Sequence, residues 1–306
     1  MNFPPMDSSS TIMVKRAAKR PSSKPAGAKT AKRAKSDDAQ SSLERMLGLL
    51  DLFTTSAPVR PVTDLVNYLG TSRSTSYRYI KALHAAGLLE AVANGRYVLG
   101  PRIVEFDRQI RMTDPLYQGG GPVLRELVEF TGYSALLCAL NRDSVMCIRE
   151  DLAKGSPPTL FSRGQRRPLF FGAASKIILP YVPPHRLIRI FEHHHRDIAK
   201  AGLGTDWQGF RDNLAAMRSD GYCVSYGEFN PGVFGVAAAV FNSDGLVVGS
   251  VGVAGSADKL DRKKLPKYGD AALSAAKRLT DFLAEDHNDL VHPPRAYGSV
   301  STRTNR

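Results

Sequence analysis

Two adjacent residues, Asn94 and Gly95, constrain this chain more than any others. They stand between two strand-like runs, "LLEAV" at 88–92 and "RYVLG" at 96–100. An Asn-Gly pair in that setting readily takes the positive φ values of a tight turn, so the runs are expected to close as a β-hairpin. Helical patterns precede it. "SSLERMLGLLDLF" spaces Leu43, Met46, Leu47, Leu50 and Phe53 as one helix face, with Ser41 or Ser42 as cap. Pro58 and Pro61 mark a loop. Thr63 is expected to cap a short helix over 64–69 that buries Leu65, Val66 and Leu69, and Gly70 ends it. Ser72 then opens a helix that runs to about Ala86 and stops at Gly87.

Helix, helix, tight turn, helix and two-stranded wing is the pattern of a winged helix-turn-helix. The start of its third helix is unusual. The dipole at a helix start favours acids, yet "TSRSTSYRYIKALHAAGLL" at 71–89 contains none. Hydroxyls and arginines suit a polyanion: short groups approach closely, and Arg reads guanine edges or phosphates. The candidate DNA contacts are Ser72, Arg73, Ser74, Thr75, Tyr77, Arg78 and Lys81, with Ser76 as a further short group. Ser74, Arg78 and Lys81 share one polar face. Tyr77, Ile80, Leu83 and His84 are assigned to the face that holds the helix to its own domain. At the wing, Asn94 and Arg96 are candidates; Arg96 reads equally as a DNA contact or as a solvated turn charge.

The charge agrees with a nucleic-acid partner. The 306 residues carry a formal net charge of +13. Nine Lys/Arg against three Asp fall in residues 1–40, a segment without apolar period that is expected to be a disordered basic tail. It reads either as a solubilising arm or as a non-specific phosphate contact. Three widely spaced cysteines argue for a reducing compartment. No run approaches the roughly 20 apolar residues of a membrane span, and no secretory signal is visible.

Ile103, Val104, Phe106 and Ile110 suggest a linker helix within 101–121, and "QGGGP" at 118–122 is expected to break the chain. Beyond it, 122–285 mixes segments of both periods. Helices are expected over 123–130, 172–182, 184–195, 206–220 (capped by Thr205, closed by Gly221) and 261–284. Strands are expected over 134–140, 145–149, 222–226, 233–241 and 246–254. That is an antiparallel-rich α+β domain. Residues 286–306 are polar and expected to fray.

The paired leucines of the first helix, Thr63-Asp64-Leu65-Val66, Leu69-Gly70, Ser74-Thr75, Arg78, Leu83, Gly87 and Arg96-Tyr97-Val98-Leu99-Gly100 resemble the DNA-binding domain of IclR-type transcriptional regulators. "PVLRELVEFTG", "RRPLFFGAASKIIL", "MRSDGYCVSYGEFNPGVFGVAAAVFNSDG" and "VGVAG" are similar to that family's GAF-like effector domain. The resemblance spans about 42–285. It implies an all-α winged helix-turn-helix domain over 41–100 plus an α+β GAF-like effector domain over 122–285. It also implies a bacterial, cytoplasmic, ligand-responsive regulator, a homodimer or dimer of dimers on a double-stranded operator. No catalytic residue, metal or cofactor is expected.

Departures bear on the ligand. Phe170 stands where the family often has His, Ser175 where it has Gly, Gly235 where it has Cys or a small polar group, and Gly252 and Ala254 where it has Ser. Smaller side chains imply a roomier pocket, and hence a bulkier, more aromatic ligand than a short keto acid. The candidate effector residues are Phe170, Phe171, Ala173, Cys223, Ser225, Phe234, Gly235, Gly252 and Ala254. Aromatics beside strand glycines also read as plain core. A ligand carboxylate would need donors, and the backbone N–H groups near 172–174 and Ser225 are candidates.

Three rivals stand beside this reading. Cys138, Cys147 and Cys223 would serve a thiol-dependent reductase, but none has a clear activating cation. His185 with His193, His194 and His195 would ligate zinc, but adjacent helical histidines diverge. A nucleoid-type binder relying on the tail would leave 101–285 without a role.

Overall fold

The computed structural model describes residues 41–154 and 161–285. The two expected tails, 1–40 and 286–306, lie outside the described residues. The chain divides into two compact units.

In the first unit, α1 (Ser42–Gly48) opens with a capping box. Ser41 Oγ accepts the Glu44 N–H at 3.2 Å, and Glu44 Oε2 accepts the Ser41 N–H at 2.7 Å. The periodic stretch then tightens into a 3-10 turn, Leu49–Leu52. β1 (Arg60–Pro61) occupies what reads as a Pro-rich loop. It has this role because Pro is tolerated on an edge strand. α2 (Val62–Leu69) follows at once, with Pro61 in the cap position. Thr63 is therefore inside the helix and does not cap it. Gly70, at φ +58°, ends α2 in the left-handed conformation that glycine adopts without strain. α3 (Arg73–Ala85) starts with the Thr75 N–H on Ser72 Oγ at 3.3 Å.

β2 (Leu89–Val92) and β3 (Arg96–Leu99) form the wing. Asn94 and Gly95, at φ +64° and +63°, make its turn. β1 pairs antiparallel with β3, Arg60 opposite Tyr97 and Pro61 opposite Arg96. The sheet order is thus β1-β3-β2, one strand more than the expected wing. Leu49, Leu65, Leu69, Ile80 and Leu83 are fully buried. Each such side chain contributes about 1.5–3 kcal/mol over exposure.

In the second unit, α4 (Arg102–Thr113) is the expected linker helix, and α5 (Pro115–Thr131) follows it. Asp114 caps α5, its Oδ1 accepting the Leu116 N–H at 3.0 Å and the Tyr117 N–H at 3.3 Å. Replacing Asp114 by alanine is expected to cost about 1 kcal/mol, read as a lower denaturation midpoint of the full chain. "QGGGP" does not break the helix: α5 runs straight through it. A Cβ on Gly119 would stand 2.7 Å from the Phe282 ring, and one on Gly121 would stand 2.7 Å from Arg149 Nη2. A Cβ on Gly120 would meet Leu137. Glycine costs about 1 kcal/mol in a helix interior; here it admits neighbours that no larger residue would.

β4 (Ser134–Asn141), β5 (Ser144–Asp151) and β6 (Arg166–Pro168) are followed by the short α6 (Ala173–Lys176) and a 3-10 turn, Leu179–Tyr181. α7 (Pro184–Lys200) kinks at His194, whose φ is −127°. α8 (Trp207–Asp220) is capped by Asp206, which accepts the Gly209 N–H at 2.8 Å, rather than by Thr205. β7 (Tyr222–Tyr226), β8 (Val233–Phe241) and β9 (Val247–Ser256) precede α9 (Leu265–Glu285). A 3-10 turn, Arg262–Lys264, fills the start expected for α9, and another, Ala257–Lys259, precedes it.

Among the described residues the six strands make one antiparallel sheet, in order β6-β5-β4-β9-β8-β7. Side chains alternate between its faces. Phe234, Val236, Ala238 and Val240 of β8 pack with α5 and α9. Ala237 and Ala239 pack in the core formed with α6, α7 and α8. A sheet buried on both sides by helices is the expected GAF-like α+β architecture.

Candidate nucleic-acid interface and ligand pocket

Burial divides α3 cleanly. Ser76, Ile80 and Leu83 are buried, Thr75 and Tyr79 are half-buried, and Arg73, Ser74, Tyr77, Arg78 and Lys81 are exposed, with Ser72 exposed just ahead of the helix. Three residues depart from expectation. Ser76 is no outward short group: its Oγ hydrogen-bonds Thr71 Oγ1 at 2.9 Å inside the domain. Tyr77 leaves the anchoring face for the outer one, and Tyr79 takes its place. His84 is exposed, with its ring edge-on to Tyr97 at 6.4 Å. Ser72 Oγ bonds both Thr75 Oγ1 (2.9 Å) and Ser74 Oγ (3.1 Å), so the hydroxyls form one exposed cluster. The Arg78 guanidinium lies 5.7 Å from the Tyr79 ring centroid. At the wing tip Asn94 and Arg96 are exposed, and Arg96 Nε donates to the Ala93 carbonyl at 3.1 Å.

The second unit holds a pocket enclosing about 520 Å³, part of it open to solvent. Its floor follows from strand register. Gly235 faces Ala254, and Ala237 faces Gly252, across β8 and β9. These four small residues leave the space above them open. A Cβ on Gly235 would stand 3.3 Å from Ser225 Oγ and 3.6 Å from the Ala173 Cβ, so this glycine does widen the pocket. Gly252 does not. A Cβ there would collide with the Val236 carbonyl oxygen and stand 2.6 Å from the Ala237 Cα. The absent side chain at Gly252 makes room for the neighbouring strand.

Of the expected effector residues, Phe171, Ala173, Ser225, Phe234, Gly235, Gly252 and Ala254 line the pocket, whereas Phe170 and Cys223 do not. Phe170 turns into the core against the His194 ring, 5.1 Å away. Cys223 pairs with Ala237 on the far side from Gly252 and is buried one strand beyond the floor. Phe234 reaches the pocket from β8, but its ring belongs to the opposite core, edge-on to Tyr133 at 4.8 Å. The aromatic wall is instead Phe161, Phe171 and Phe229.

The charged lining residues, Arg167 and Glu228, escape sequence reading. Glu228 lies in the β7–β8 connection. Its Oε2 accepts the Gly172 N–H at 2.9 Å, and its Oε1 accepts from Lys176 Nζ at 2.5 Å. Ser225 Oγ accepts the Ala173 N–H at 2.9 Å. Of the backbone donors expected near 172–174 to meet a ligand carboxylate, those of Gly172 and Ala173 are thus already taken. Arg167 is the middle residue of β6, half-buried between the exposed Arg166 and Pro168. Its Cζ lies 4.0 Å from the Phe161 ring centroid and 4.2 Å from that of Phe229. Burial pushes its guanidinium down to about 10, still protonated at neutral pH.

Residues 42–93 match the IclR helix-turn-helix domain, and residues 113–281 match the bacterial transcriptional regulator IclR C-terminal domain. The chain belongs to the IclR family. Among its relatives are HTH-type transcriptional regulator BhcR of Paracoccus denitrificans, 26% identical over 79% of this chain and 87% of that protein, and KipR of Bacillus subtilis, 25% identical over 77% and 95%. An IclR regulator from Alicyclobacillus acidocaldarius shares the fold, with a TM-score of 0.66 at 22% identity over 79% of this chain and 98% of that one. So does an IclR homologue from Microbacterium hydrocarbonoxydans solved with 4-hydroxybenzoate: TM-score 0.65, 19% identity, 80% and 100% coverage. Like its relatives, this IclR protein is a helix-turn-helix transcriptional regulator and not an enzyme.

The rivals fit the IclR geometry poorly. All three cysteines are buried. Burial holds the Cys138 thiol well above its ordinary range, against a smaller pull from Arg167, and pushes Cys223 up to about 11. Thiolate chemistry needs the opposite shift. His193 Nδ1 is bound to the Arg189 carbonyl at 2.7 Å. Among the described residues no group of three or more His, Cys, Asp or Glu is placed to hold a metal, and no helix is long and apolar enough to cross a membrane.

Proposed function

We propose that two copies of this regulator set α3 into successive major grooves of a near-palindromic operator, and that an aromatic monocarboxylate in the pocket controls that engagement. The observation that carries the DNA half is the exposed, acid-free face of α3. Ser72, Arg73, Ser74, Thr75, Tyr77, Arg78 and Lys81 meet the duplex, with Asn94 and Arg96 of the wing beside them. Ser76, Ile80 and Leu83 hold the helix in place. Homodimers, or dimers of dimers, in the cytoplasm suit such a regulator, since one recognition helix reads only half an operator. The basic segment 1–40 adds non-specific phosphate attraction.

The ligand half rests on pocket shape and its aromatic wall. The 4-hydroxybenzoate complex of the Microbacterium homologue supports it by analogy. A ligand shifts DNA binding only if it prefers one dimer geometry. Calorimetry of the full chain is expected to show 4-hydroxybenzoate binding more tightly than glyoxylate or pyruvate. The pocket-filling variant Gly235→Leu is expected to lose that binding at least tenfold while still shifting operator DNA. Tighter binding of the keto acids would overturn the aromatic reading. Undiminished binding by Gly235→Leu would move the ligand elsewhere.

A further inference from the structure

We propose that Arg167 is the specificity-determining residue of the pocket, gripping the single carboxylate of an aromatic monoanion and excluding both neutral analogues and dianions. This rests on the pocket being the effector site. At the other end of the pocket, an acid would ordinarily find backbone donors. Two of those donors are occupied: Glu228 holds the Gly172 N–H and Ser225 holds that of Ala173. Glu228 also repels a second carboxylate. Its own charge is met from behind by Lys176, whose side chain is 9% exposed.

That leaves Arg167 as the cation of the lining. The rings of Phe161 and Phe229, 4.0 and 4.2 Å away, fix its plane. A guanidinium held this way has already lost most of its rotamer freedom, so it binds a carboxylate at lower entropic cost than a mobile lysine. Its planar fork matches two carboxylate oxygens. The head group reaches across to α6: Arg167 Nη1 lies 3.7 Å from where a Cβ on Gly172 would stand. The partly desolvated charge, which burial makes easier to deprotonate than an ordinary guanidinium, gains most from an anion that arrives with its own apolar ring. Phe171 and the floor of Gly235, Ala237 and Ala254 offer that ring a surface but no second cation.

Calorimetry of the full chain with benzoate, phthalate and benzyl alcohol tests this. Benzoate is expected to bind at least tenfold more tightly than either of the others. In Arg167→Met benzoate affinity is expected to fall to that of benzyl alcohol, whose own affinity stays unchanged. Arg167→Lys, with the charge but not the fork, is expected to fall between. Thermal melts confirm that both variants fold. A benzoate preference that survives in Arg167→Met, phthalate binding as tight as benzoate in the parent chain, or no saturable benzoate binding at all would each overturn the assignment. Benzoate binding that Gly235→Leu leaves intact would instead overturn the pocket as the effector site, so the two failures are separable.

Discussion

Replacing Arg78 by alanine is expected to abolish discrimination of the operator from random DNA. Arg78 is exposed in the second turn of α3, and no carboxylate among the described residues pairs with it. Nothing in the folded chain depends on its charge. A bidentate Arg contact to a guanine edge is worth about 1–3 kcal/mol, and a palindromic site uses it twice, so the loss is about 2–6 kcal/mol, at least thirtyfold in Kd. Fluorescence anisotropy on operator and scrambled duplexes reads this directly. Lys81→Ala, as a phosphate contact made once by each protomer, is expected to weaken both duplexes equally and lower the salt slope by about 2. If Arg78→Ala kept its footprint, the outer face of α3 would not be what reads sequence.

The second large effect is on stability. Gly252→Val is expected to cost about 3 kcal/mol or more and lower Tm by about 6–12 °C. β8 approaches β9 so closely at this point that the Val236 carbonyl and Ala237 fill the space a side chain needs. Only a backbone shift in the sheet would relieve the collision, and β9 is a central strand paired on both edges. Ala254→Ser, two residues on, points into the pocket and is expected to change stability by less than about 0.5 kcal/mol. Trp207, the one tryptophan of the chain, packs on Phe191 with ring centroids 5.5 Å apart and reports both unfolding transitions by fluorescence. Equal midpoints for the two variants would show that the strands are free to separate.

Local chemistry made the first unit legible. Gly70 and the Asn94-Gly95 turn need positive φ, and the sequence supplies residues that take it. The apolar spacing of the helices did the rest. The exceptions are instructive. Pro61 looked like a loop residue because edge pairing with β3 is invisible without the partner strand. "QGGGP" looked like a break because glycine's helix tolerance depends on Leu137, Arg149 and Phe282, which arrive from elsewhere in the chain. The pocket was less legible than the DNA face for the same reason. Which way Phe170, Phe234 or Cys223 points depends on register and on the helices laid over the sheet. Arg167 gave no signal, because neither the short strand over 166–168 nor its inward position can be read until β5 is there to pair with it.

The alternation of β8 has a consequence for how such a regulator changes over time. Odd-numbered positions, Gly235, Ala237 and Ala239, face the ligand side, while even-numbered ones, Phe234, Val236, Ala238 and Val240, anchor the helices behind. One strand therefore carries two separate dials. Substitution at the odd positions retunes which metabolite is sensed while the scaffold beneath stays untouched. Substitution at Ala238 and Val240 tests the scaffold alone, whereas Phe234 and Val236 also border the pocket. A lineage can acquire a new effector by walking along every second residue.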